Sequence, residues 1–112
     1  MAAALEVLAR SPRPHTLVLG AMLELGEASA ERHREVGLAC LAQDVDTVWI
    51  VGAAARPVAE TCPRARAFDD VRAVAAAAAE LPRNGTLLVK GSRGVGLEAL
   101  VRQLHAHEEV VT

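Results

Sequence analysis

Thr16-Leu17-Val18-Leu19-Gly20 and Thr47-Val48-Trp49-Ile50-Val51-Gly52 decide the fold. Each is a short, unbroken apolar run stopped by glycine. Neither is long enough for a helix, and neither alternates apolar with polar, so each reads as a strand covered on both faces. A helical stretch follows each run. From Glu27 to about Ala42, the residues Ala30, His33, Gly37, Cys40 and Leu41 share one face, while Glu31, Arg32, Arg34 and Glu35 point the other way. A shorter alanine-rich helix runs to about Glu60.

Downstream, Arg66-Ala67-Phe68 is a weaker third strand, and Asp69-Asp70 can cap a helix that turns Val71, Val74, Ala75 and Ala78 inward. Pro82 and the Asn84-Gly85 pair stop that helix. Thr86-Leu87-Leu88-Val89 is a fourth strand, and Leu97, Leu100, Val101 and Leu104 mark a helix after it. Upstream, Met1, Leu5 and Leu8 form a short helix ended by Ser11-Pro12-Arg13-Pro14. Strands alternating with helices through short connections give right-handed crossovers. The expected fold is therefore α/β and Rossmann-like: a doubly wound, mostly parallel sheet of about four strands with helices on both faces. Residues 1–112 are read as one domain. Such domains ordinarily begin with a strand, so the opening helix reads as one whose preceding strand is missing.

Composition narrows the function. Trp49 and Phe68 are the only rings, and the formal charge is -2 with both signs interspersed. Without a basic face or stacking platforms, nucleic acid is not an expected partner. Cys40 and Cys62 lie in no CxxC or Cys/His ligand spacing, so neither a disulfide framework nor a metal site is expected; two buried or idle thiols in a reducing compartment are. No stretch reaches the ~18 apolar residues of a membrane span, and the amino terminus lacks a basic region followed by an apolar segment, so a cytoplasmic protein is expected.

In an open parallel sheet, ligands bind beyond the carboxyl ends of the strands, where loops converge. Two stretches there are candidates. Lys90-Gly91-Ser92-Arg93-Gly94-Val95-Gly96 gathers the only lysine, a hydroxyl and a guanidinium in a glycine-rich turn before a helix, which suits a carboxylate or phosphate. It is not a Walker A loop, because Lys90 precedes its glycines, and it does not match GxGxxG. The same residues also read as a strain-relieving turn with solvated charges. Gly20-Ala21-Met22-Leu23-Glu24-Leu25-Gly26 is the second candidate, and a hydrophobic turn packed on a neighbouring helix explains it equally well. His33, on the inward stripe, reads as a packing residue rather than a base, since spacing supplies no nucleophile or carboxylate partner. His105 and His107 cannot share a helix face and are taken as solvated.

Taken together, Leu19 to Glu27, Glu31 to Gly37 and Leu88 to Gly94 resemble, in order and spacing, the carboxyl-terminal domain of the MurF-type Mur ligases. Such enzymes use ATP to phosphorylate the carboxylate of UDP-N-acetylmuramoyl-tripeptide and let the amine of D-alanyl-D-alanine attack, making a peptidoglycan precursor. The resemblance implies a third domain that closes over a central ATPase domain and seats the dipeptide. Ser92 and Arg93 would then take its carboxylate with Lys90 and Gly91 in support, and Gly20, Ala21 and Met22 would face the reacting phosphate across the cleft. Family members usually carry Asp where this chain has Ala21, which puts a polar role for that loop in doubt. ATP and Mg2+ belong mainly to the rest of such a ligase, whose P-loop and Asn-Ala-Asn-Pro segment are not in these residues, so the chain alone is expected to be inactive. A stand-alone anion-binding module derived from that domain, and more weakly a generic nucleotide-binding half-domain, are the competing readings.

Overall fold

A computed structural model describes residues 2–20, 29–53, 56–82, 84–90 and 109–111. The described elements alternate as expected: α1 (Ala2–Ala9), β1 (His15–Gly20), α2 (Ser29–Ala42), β2 (Thr47–Val51), α3 (Pro57–Thr61), β3 (Arg66–Phe68), α4 (Val71–Ala77), β4 (Thr86–Lys90) and β5 (Glu109–Val111). A single 3-10 turn, Ala78–Glu80, continues α4. The strands form a five-stranded sheet in the order β3-β2-β1-β4-β5, and every neighbouring pair is parallel. The α/β doubly wound architecture is borne out. Its fifth strand went unread, because Glu109-Val110-Val111 offers only two apolar residues to a periodicity argument.

Strand alternation sorts the core into two layers. Leu17, Leu19, Val48, Ile50 and Leu88 point to the face covered by α1, α2 and α3, where Leu5, Leu8, Val36, Cys40 and Val58 meet them. Val18, Trp49, Val51, Leu87 and Val89 point to the other face, against Phe68, Val74, Ala77 and Leu81. This is why the founding runs are apolar throughout rather than every second residue.

Two helix faces differ from their sequence reading. On α2 the buried stripe is His33, Val36, Gly37 and Cys40, while Ala30 and Leu41 are exposed. The stripe is narrow because α2 packs on α3 as well as on the sheet, and the crossing centres on Gly37. On α4, Val74 and Ala77 are the buried pair and Ala75 and Ala78 are only half-buried. Asp70 caps α4 as expected, its side chain accepting from the Ala73 N–H at 2.9 Å. Cys40 and Cys62 are both buried and free. Among the described residues no helix is long and apolar enough to cross a membrane.

Candidate functional site

The two ends of the sheet are built differently. At the amino edge, polar groups clasp the chain. Asp46 holds Arg13 through both carboxylate oxygens at 3.1 Å and accepts the His15 backbone N–H at 2.7 Å. The His15 ring contacts the Ser11 carbonyl at 2.8 Å through Nε2, which must donate because a carbonyl only accepts. Thr86 donates its hydroxyl to Pro12 at 2.9 Å and its N–H to Pro14 at 3.0 Å. These bonds tie the α1–β1 connection to the starts of β2 and β4, and they leave that edge closed.

The carboxyl edge carries the point where the strand order changes direction. The crossovers through α2 and α3 step outward from β1 to β2 to β3 on one face, whereas α4 returns along the opposite face and delivers β4 to the other side of β1. Strand order thus reverses direction between β1 and β4, the strand that α4 delivers to the other side of β1. Such a switch point is where open α/β sheets bind ligands. Register places Leu19 beside Lys90, so Gly20, the last residue of β1, lies next to the end of β4. The first residues of the two stretches singled out in the sequence therefore lie on neighbouring strands at the switch point.

Of the candidate residues, Gly20 is buried at the end of β1 and Lys90 half-buried at the end of β4. By alternation Lys90 shares its face with Leu88 and Leu19, the side on which α2 lies. Ala21, Met22, Gly91, Ser92 and Arg93 lie outside the described residues, as do His105, His107 and the Leu97–Leu104 stripe. His33 is fully buried in the first half of α2, a packed position beneath the cleft rather than on its surface. A second cation at this edge, Arg56, is held by Asp69 at 2.9 Å, one strand further from the junction than β2. Among the described residues Lys90 makes no ion pair, and it stands at the junction itself. Adjacency of the two loops was the feature that sequence reasoning could not reach, since strand order is not written in any single segment.

The described residues contain no group of three His, Cys, Asp or Glu side chains placed to hold a metal ion. Lys90 precedes its glycines, so it cannot reach phosphates from within a glycine cradle as a P-loop lysine does. At this edge the described residues place the half-buried Lys90 beside the end of β1.

The family model described as Mur ligase, glutamate ligase domain matches residues 1–93, from α1 through β4 and three residues beyond it. The chain is 36% identical over 107 residues to the UDP-N-acetylmuramoyl-tripeptide--D-alanyl-D-alanine ligase of Escherichia coli (strain K12). That alignment covers 93% of this chain and 24% of the relative, so the chain spans about a quarter of the length of the curated protein it matches.

Proposed function

The chain belongs to the Mur ligase family, matching its glutamate ligase domain, and on that premise we propose that residues 1–112 are the substrate-gripping third domain of a ligase joining D-alanyl-D-alanine to UDP-N-acetylmuramoyl-tripeptide. The observation that supports the reading is the meeting of Gly20 and Lys90 at the β1/β4 switch point, where both family-like stretches begin on neighbouring strands. In this reading Arg93 and Ser92 hold the dipeptide carboxylate, Arg93 by a charge-assisted fork and Ser92 by its hydroxyl, with Lys90 and the Gly91 backbone in support. Fixing one end of the dipeptide presents its amine to the activated tripeptide, an orientational gain rather than a chemical one. Gly20, Ala21 and Met22 line the facing side of the cleft; alanine at position 21 leaves them to shape it rather than to hold charge.

ATP and Mg2+ supply carboxylate activation in such a ligase, and both are assigned to the central ATPase domain, the partner on which this domain closes. The chain alone is then inactive, and the complete enzyme works in the cytoplasm. The test uses the full-length ligase carrying Arg93→Ala. A charge-assisted hydrogen bond is worth about 1.5–3 kcal/mol, so KM for the dipeptide rises by roughly 10- to 100-fold while KM for ATP stays within about twofold. Equal rises for both substrates, or ATP turnover by residues 1–112 alone, overturn the assignment.

A further inference from the structure

Two thiols stand outside everything the cleft uses. Cys40 lies on the inward stripe of α2, and Cys62 caps the carboxyl end of α3; both are fully buried and free in the same apolar layer. The chain path sets them side by side. Thr61 donates to the Arg34 carbonyl at 2.7 Å and abuts Gly37. Arg64 donates to the Val45 carbonyl at 2.7 Å and pairs with Asp44 at 3.3 Å, just past the end of α2. The 61–64 segment therefore runs along α2 from the turn of Arg34 and Gly37 to its far end. Cys62 passes on that path at the level of Cys40, which sits one turn beyond Gly37. Charge reports the same proximity: burial pushes the Cys40 thiol up to about 12, and Cys62 adds to the rise.

We propose that Cys40 and Cys62 are a latent dithiol that closes to an intrachain disulfide across the α2–α3 crossing when a small-molecule disulfide is present as oxidant. Exchange takes two steps. Cys62 ends a five-residue helix, so slight fraying frees it. Its thiolate attacks the small disulfide, whose S–S bond breaks and releases one thiol. Cys40 then loses its proton to solvent and attacks Cys62 Sγ, and the second small thiol leaves. The two protein thiols are oxidised to one S–S bond, the reagent is reduced to two thiols, and the two protons end on them. The second step needs the Cys40 thiolate, so closure is slow near neutrality and speeds up with pH. Once closed, the bond fixes α2, the helix entered from the Gly20–Gly26 stretch of the cleft.

The experiment incubates the whole reduced, folded chain with oxidised glutathione and follows intact mass and a non-reducing peptide map. Expected are loss of two hydrogens, a Cys40–Cys62 linked peptide in monomeric protein, faster closure at higher pH, and a raised thermal midpoint that dithiothreitol reverses. Cys40→Ser is expected to stop at a glutathione adduct on Cys62. A lasting adduct on the unmutated chain, a chain-to-chain disulfide, or thiols left unmodified while a free cysteine peptide in the same tube oxidises overturns the proposal.

Discussion

Gly37→Ala sets two opposite effects against each other in one methyl group. In a free helix alanine is favoured over glycine by about 1 kcal/mol, so the change should stabilise α2. In this fold a Cβ at position 37 would lie 2.0 Å from Thr61 Oγ1, 2.4 Å from the Val58 carbonyl oxygen and 3.2 Å from its carbon. The threonine can rotate away, but only by giving up its 2.7 Å bond to the Arg34 carbonyl, a loss of about 1 kcal/mol. The Val58 oxygen is backbone, so α3 itself must move off α2. Overpacking of this kind costs about 1–3 kcal/mol. Adding about 1 for the hydrogen bond and subtracting about 1 for propensity leaves a net loss of about 2 kcal/mol, or a thermal midpoint lower by about 8 °C in a domain of this size. Urea unfolding followed by the fluorescence of Trp49, buried and the only tryptophan, reads the change directly. The double variant Gly37→Ala/Thr61→Ala relieves the nearer contact and not the backbone one, so it stays below Thr61→Ala alone in stability. If Gly37→Ala is neutral or stabilising, α2 and α3 do not cross this closely.

Gly85→Ala should lose at least about 2 kcal/mol, because φ there is +84° and the new Cβ would lie 2.1 Å from the Pro14 oxygen; denaturant midpoints measure it. For Cys40, whose folded-state pKa is raised from 9.0 to about 12, the neutral thiol is the stabilised form. Its contribution is complete below pH 9.0 and is lost between 9.0 and about 12, so stability in reducing buffer should fall by up to about 1.4 kcal/mol per pH unit across that window. Cys40→Ala should flatten this slope. In the full-length ligase, Lys90→Met should raise the dipeptide KM by about tenfold with little change for ATP, as expected of one supporting charged contact measured by steady-state kinetics.

The founding apolar runs were legible because burial on both faces leaves a strand no room for polar residues; β2 and β3 fall where the sequence puts them, β1 gains one residue at each end, and β4 gains one at its carboxyl end. Asp70 was legible for a local reason, since a cap depends on its own turn. Helix faces were less so. Ala30 and Leu41 fit a helical period yet are exposed, because which part of an apolar face is covered depends on where the neighbouring helix crosses. The clasp around Asp46 was missed for a similar reason: Arg13 and His15 precede it by about thirty positions, and nothing local marks the three as partners.

The cleft shows the same division between local and long-range information. Lys90 and the glycines beside it could be singled out as an anion-holding turn from composition alone, only slightly ahead of a plain structural explanation, and the Gly20–Gly26 stretch as a second candidate that did not outweigh its own. What separates the explanations is the order β3-β2-β1-β4-β5, in which the chain steps past β2 and β1 before laying down β4. Had β4 added beyond β3, Gly20 and Lys90 would stand three strand spacings apart, about 14 Å, too far for one dipeptide end to feel both. With β4 against β1 they are neighbours, so the proposed site can draw on both stretches. On that reading the return of α4 along the face opposite α2 and α3 does more to make this edge a binding edge than any residue in either loop.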